Sequence, residues 1–324
     1  MTENTAAYVT DEAEGTNWRL LLGDSCERLA ELETDSVDLS VCSPPFESLF
    51  VYSPSIRDLG NSTSRADFIE QYKYIIREQL RVTKPGRNAC IHVQQLTTTK
   101  STHGYMGLTD FRGDVIRAFT DEGWYFVGEV TVWKDPQAQS IRTRAHALAF
   151  QTKNRDSAGS RPALADYLLL FKKPGDNAVR IPHLAETGEV TNDDWIDWAS
   201  PIWTDRGTGE DPLSGEHLAP VWWNIRETET LNTRVAKEAD DERHIAPLQL
   251  EFIDRCIRLW SNPGELVLTP FAGIGSELFQ AVKRGRRAIG IELKPSYWQT
   301  AVNNLTALEQ EMSNPQLFGD TEGD

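Results

Sequence analysis

Apolar positions along the chain follow two rhythms that alternate from residue 37 onward. Val37 to Cys42 is a short apolar run halted by Pro44 and Pro45, which marks a strand ending in a turn. Over 67–82 the spacing changes. Phe68, Ile69, Tyr72, Ile75, Ile76 and Leu80 recur every three to four residues until Lys84-Pro85-Gly86, predicting a helix that feeds a strand over 89–93. The order repeats with a helix near 110–122 closed by Gly123, an alternating strand over 124–133 and a further strand over 166–171. Residues 175–243 lose the rhythm: this stretch is acidic, loop-rich and holds Trp195, Trp198, Trp203, Trp222 and Trp223. It reads as an irregular inserted subdomain whose aromatics either form a small core or offer stacking surfaces. The earlier grammar then returns as helix 246–260, strand 265–269, a Gly-rich turn, helix 276–284, strand 287–292 and a last helix over 295–308. Strands alternating with helices imply an α/β fold, doubly wound, with a mostly parallel sheet covered on both faces.

A length of 324 residues suits one large enzymatic domain with an insertion, or two ordinary domains. No apolar run reaches the roughly 18 residues of a spanning helix, and the first residues form no basic and apolar leader, so the expected compartment is the cytoplasm. The cysteines (Cys26, Cys42, Cys90, Cys256) are scattered, with no histidine at ligand spacing. Neither a disulfide framework nor a zinc site is indicated.

Charge first argues against a polyanionic partner, because 33 bases and 49 acids leave a net −16. Its distribution along the chain changes the picture. The excess of acid sits in 1–14, 175–243 and 309–324, and the remainder carries a net +3. Within it, 134–161 gathers Lys134, Arg142, Arg144, Lys153, Arg155 and Arg161 against only Asp135 and Asp156. Such a strip either faces phosphate or is a solvated loop, and Lys134, Arg142 and Arg144 are its candidate DNA contacts.

Two loops carry chemistry. The first, Thr269-Pro270-Phe271-Ala272-Gly273-Ile274-Gly275-Ser276, lies between a strand and a helix, with Glu292 ending the next strand. Glycines at such a turn let a nucleotide-like cofactor approach the backbone, and the acid can accept both hydroxyls of a ribose. Leu278 stands where a dinucleotide fingerprint needs its third glycine, which argues against nicotinamide or flavin. The second loop is Ser43-Pro44-Pro45-Phe46. Two prolines remove two amide donors and hold carbonyls as acceptors, the groups an exocyclic amine needs, while Phe46 offers a face for a planar base. Alone, the segment reads as an ordinary Pro-Pro turn over a buried Phe ahead of any functional role.

Together the loops resemble those of the DNA amino-methyltransferases, whose catalytic tetrapeptide reads Asp/Asn/Ser-Pro-Pro-aromatic and whose cofactor loop reads Phe-x-Gly-x-Gly. The catalytic motif comes first here, as in the family's beta class. Leu22-Gly23-Asp24, Leu80 to Gly86 and His244 to Leu250 resemble further family segments. The resemblance implies a Rossmann-like methyltransferase sheet, S-adenosylmethionine as cofactor and double-stranded DNA as partner, with a homodimer left open. Catalysis would rest on Ser43, Pro44, Pro45 and Phe46. The cofactor would meet Phe271, Ala272, Gly273, Gly275, Ser276 and Ser43, with Glu292 on its ribose, Asp24 near its adenine, and His244 and Pro247 closing over its methionine end. The chain then divides into a flexible arm (1–17), a catalytic half (18–174), an inserted target-recognition region (175–243), a cofactor half (244–308) and an acidic tail (309–324). The Ser-Pro-Pro start leans toward N4 of cytosine over N6 of adenine. An RNA or protein amino-methyltransferase, and a non-catalytic DNA-binding relic of the fold, remain rivals.

Overall fold

The computed structural model describes residues 8–46, 57–134, 161–184, 188–199, 202–203, 225, 229–231 and 247–313. In chain order its elements are β1 (Asp11–Glu14), β2 (Trp18–Leu22), α1 (Ser25–Leu29), β3 (Val37–Cys42), α2 (Arg65–Val82), β4 (Thr83–Gln94), β5 (Leu96–Thr98), α3 (Lys100–His103), β6 (Gly107–Thr109), α4 (Phe111–Asp121), β7 (Tyr125–Val132) and β8 (Asp166–Lys172). They continue as α5 (Asn192–Trp198), β9 (Ile202–Trp203), α6 (Leu250–Trp260), β10 (Leu266–Thr269), α7 (Ser276–Lys283), β11 (Arg287–Glu292) and α8 (Pro295–Ser313). Among the described residues, nine strands form one sheet in the order β1-β2-β11-β10-β3-β4-β8-β7-β9, while β5 and β6 pair separately. The run β2-β11-β10-β3-β4 is parallel, and β8 runs against both its neighbours.

Every residue of β3 is buried, as a strand covered on both faces must be. On one face Leu20, Leu39, Val41, Cys90 and Leu168 pack against Phe252, Ile253 and Ile257 of α6, Leu278 of α7, and Ala301 and Leu305 of α8. On the other, Val37, Ala89, Ile91, Leu169 and Phe171 pack against Phe68, Tyr72 and Ile76 of α2 and Phe111, Val115 and Phe119 of α4. The rings of Phe119 and Phe171 stack at 4.2 Å. Asp38 is the polar exception within β3. Its carboxylate accepts from Lys84 Nζ at 2.7 Å and from the Leu266 amide at 2.9 Å, pinning β3 beside β10 at the base of the sheet.

Three segments differ from the sequence reading. Within the expected arm, Asp11–Glu14 pairs antiparallel with β2. Its acids stay in solvent at the sheet edge, where charge deters a further strand, and Glu12 meets Arg19 at 2.6 Å. Within the expected tail, α8 continues to Ser313, and Glu309 accepts from the Thr16 amide at 2.6 Å. The described part of 175–243 includes α5, started by a capping box between Thr191 and Asp194. Trp198 of that helix is buried in the main core with Val190 and Ile225, and Arg258 of α6 lies 4.6 Å from its ring centroid. This tryptophan is therefore core. Trp222 and Trp223 lie outside the described residues. No helix among the described residues is long and apolar enough to cross a membrane.

Candidate active site

Strands β10 and β3 are neighbours, with Leu268 in register with Ser40. From β10 the chain crosses to β11 on one side, and from β3 it crosses to β4 on the other. The winding reverses between them, so a crevice opens beyond their carboxyl ends. The loops 270–275 and 43–46 follow those two ends. Both line a single cavity of about 400 Å³, together with Asp24, Pro247, Glu292 and Tyr297. That volume suits a cofactor-sized ligand.

The cofactor side is built mainly from backbone. Gly275 caps α7 at φ 90°, a left-handed conformation that favours glycine, and a Cβ there would lie 3.1 Å from that of Ala301. The Ala272 amide donates to Ile291 O at 2.8 Å, tying the loop to the next strand. Glu292 completes the turn, its Oε2 accepting from the Gly273 amide and its Oε1 from the Lys294 amide, both at 2.8 Å. Burial pushes Glu292 up to about 7, although those two amides oppose the shift. Glu277, in the first turn of α7 and on the same cavity, is pushed by burial up to about 8. Asp24 caps α1, accepting from the Cys26 amide at 2.9 Å, and meets Arg57 at 3.3 Å.

The catalytic side is a side-chain chain. Ser43 Oγ lies 3.1 Å from His92 Nδ1, His92 Nε2 lies 2.9 Å from Asp166 Oδ2, and Lys134 Nζ reaches the same oxygen at 2.7 Å. Phe46 sets its ring edge-on to His92 at 6.4 Å and to Phe111 at 6.0 Å. The expected phosphate role of Lys134 is thereby corrected. Its side chain is only 10% exposed and its charge is spent on Asp166. Arg142, Arg144 and His244 lie outside the described residues. The other expected site residues that line the cavity are Asp24, Ser43, Pro44, Pro45, Phe46, Pro247, Phe271, Ala272, Gly273, Ser276 and Glu292, while Gly275 supports the turn from behind. Sequence reasoning missed His92, Asp166 and Glu277. The available signal was a polar residue inside an apolar stretch, as in Cys90-Ile91-His92-Val93 and Asp166-Tyr167-Leu168-Leu169.

The profile of the DNA methylase family matches residues 37–303, most of the chain. The chain belongs to the DNA methylase family. Its relatives include the Type II methyltransferase M1.MboII of Moraxella bovis, 33% identical over 290 residues that cover 87% of this chain and 94% of that one. The Type II methyltransferase M.Cfr9I of Citrobacter freundii is 23% identical over 310 residues, covering 88% and 87%. Among solved structures, a DNA modification methylase of Thermus thermophilus, complexed with S-adenosyl-L-methionine, aligns with TM-score 0.61 at 23% identity over 89% of this chain and 92% of that one. The cytosine-N4-specific PvuII DNA methyltransferase aligns with TM-score 0.58 at 16% identity, over 93% and 94%. These likenesses bear out the doubly wound methyltransferase fold.

The methylase is thus a DNA amino-methyltransferase that draws its methyl group from S-adenosylmethionine. The residues present fit that cofactor. Each oxygen of Glu292 accepts one amide hydrogen and retains a lone pair, which gives the two acceptors that a ribose diol's two hydroxyl donors require. Ser276 Oγ, at the cavity's edge, is buried without a partner among the described residues and can take one from a ligand. Phe271 and Ile291 supply apolar wall for an adenine ring.

Proposed function

We propose that the methylase acts on the exocyclic amine of a base turned out of double-stranded DNA, at a specific site, with N4 of cytosine as the target ahead of N6 of adenine. The carrying observation is that Ser43 to Phe46 and the loop 270–275 share one cavity. The cofactor supplies an activated methyl group when bound, so the protein's task is alignment and polarisation. Ser43 Oγ and the Pro44 carbonyl accept the two amine hydrogens and favour a tetrahedral nitrogen whose lone pair is free of the ring. Phe46 stacks on the base. A base inside a duplex cannot reach such a cavity, so it must leave the stack. The extra proton on nitrogen passes to solvent. Glu292 holds the cofactor ribose, and Asp24 lies toward the adenine end.

The pairing with Type II relatives suits a modification enzyme in the cytoplasm of its cell. The test is incubation with unmethylated DNA and S-adenosylmethionine, followed by digestion and mass analysis of nucleosides. N4-methylcytosine is the expected product. N6-methyladenine would move the target to adenine, and neither product, on DNA of varied sequence, would overturn the DNA reading in favour of RNA or protein.

A further inference from the structure

Alignment of the amine accounts for Ser43 but not for the buried groups behind it. Asp166 is 3% exposed and His92 7%, and with Lys134 they run inward from the cavity across β4, β8 and the end of β7. Burying charge at that depth costs free energy that only close pairing and hydrogen bonds offset. An ionised carboxylate can only accept. Burial opposes ionisation of Asp166, but Lys134 and His92, each through both electrostatic attraction and a hydrogen bond, outweigh it and hold the carboxyl below its ordinary range. The 2.9 Å contact from Asp166 Oδ2 then places a hydrogen on His92 Nε2. A neutral imidazole protonated at Nε2 keeps a bare lone pair at Nδ1. Only one hydrogen can fill the 3.1 Å gap from that nitrogen to Ser43, and it belongs to the hydroxyl.

We propose that Asp166 and Lys134, acting through His92, hold the Ser43 hydroxyl with its hydrogen turned inward, so that the cavity face of Oγ is purely an acceptor for the target amine. The proposal rests on the amine reading above and deepens it, because it names what sets the polarity of the pocket. With Ser43 Oγ and the Pro44 carbonyl both accepting, a base carrying a carbonyl in place of the amine would bury acceptors against acceptors and be rejected. His92 touches no substrate and is a positioning residue. Its ring sits edge-on to Phe46 at 6.4 Å and to Phe252 at 5.2 Å, so packing on both sides resists the flip that would exchange its nitrogens. The competing arrangement is also defined. A hydrogen on Nδ1 would make Ser43 Oγ its acceptor and release the hydroxyl hydrogen toward the cavity or toward the His92 carbonyl, 3.4 Å away.

Nitrogen-15 NMR of the intact protein labelled at histidine, without DNA or cofactor, separates the two. His92→Asn identifies the signal. At neutral pH the expected pattern is a protonated Nε2 and an unprotonated Nδ1, giving way to mixed tautomers in Asp166→Asn. A proton on Nδ1, or on both nitrogens, overturns the proposal. Turnover then separates positioning from packing. His92→Asn places a carbonyl oxygen near the Nδ1 position, whereas His92→Leu fills the space without an acceptor. At equal cofactor affinity, kcat in His92→Asn should exceed that in His92→Leu about tenfold, and an equal loss would leave His92 only a packing role. The NMR readout needs no substrate, so a wrong tautomer sinks the polarity lock whatever the enzyme methylates. The correct tautomer in a protein that methylates no base amine overturns the proposal from the other side, through the reading on which it rests.

Discussion

The loop after β10 and the loop after β3 meet at one crevice, yet they are built by different means. The cofactor loop works through its own backbone. Gly273, Gly275 and Glu292 lie within one strand-turn-helix-strand unit: the Gly275 amide donates to the Ala272 carbonyl in the same turn, and the Gly273 amide donates to Glu292, 19 residues on at the end of the next strand. The catalytic loop works through side chains that other segments bring to it. Ser43 follows β3, His92 lies in β4, Asp166 opens β8 and Lys134 follows β7. A local device of the first kind can be altered without disturbing the amine pocket, while the second depends on the register of four segments.

That contrast can be broken or sharpened by experiment, and Ser43→Ala should do so most forcefully. Removing the acceptor should lower kcat about 10²-fold to 10³-fold and leave cofactor affinity within about twofold, as read by turnover and equilibrium binding. An equal fall in cofactor affinity would show that the two loops act as one. The reverse dissociation is expected for Glu292→Gln, which should weaken the cofactor about tenfold at pH 8 and far less at pH 6. In the wild type, affinity should rise as pH passes about 7 and Glu292 ionises, and calorimetry across that range checks the sign.

Gly275→Val imposes a branched side chain at φ 90°, beside Ala301, and should destabilise the fold by about 1–3 kcal/mol while loosening the cofactor turn. Thermal melting reads the first effect and titration the second. Glu292 and Glu277 sharpen the same side through stability. Both are raised by burial above the ordinary 4.5, to about 7 and about 8, so the folded state keeps protons that the unfolded chain has already released. Their contribution to stability should therefore fall as pH climbs from about 4.5 to about 8, and Glu277→Gln should flatten that slope in denaturant titrations. The smallest effect is expected outside both loops. Replacing Arg142 and Arg144 by alanine should reduce the salt slope of DNA binding by about two, with cofactor affinity unchanged. An unaltered slope would remove them from the phosphate interface.

Much of this architecture was legible because its causes are local. Strands β3 and β11 match their predicted bounds, since an apolar run stopped by Pro44-Pro45 and one begun just after the helix-ending Gly285 leave little choice of boundary. Helix α6 begins at Leu250, four residues later than its apolar pattern suggests, with Pro247 in the lead-in. The edge strand β1 was illegible, because four mostly charged residues carry no pattern and owe their conformation to β2. Lys134 shows the same limit in the site. Among nearby basic residues it looked like one more surface charge, and only the approach of β8 supplied the buried carboxylate that claims it.

What the chain determined by itself was its alternation of strands and helices, the two turns at the crevice and the acceptor-rich Ser43 to Phe46 loop. Glycine and proline restrict their own backbone whatever surrounds them, so their chemistry survives in one dimension. The tertiary structure alone decided which polar groups meet. The contacts Ser43–His92, His92–Asp166 and Lys134–Asp166 span sequence separations of 49, 74 and 32 residues, and the middle one depends on the antiparallel register of β4 with β8. A hydrogen bond forms or fails over a few tenths of an ångström, and that precision is set by the packing of the whole sheet.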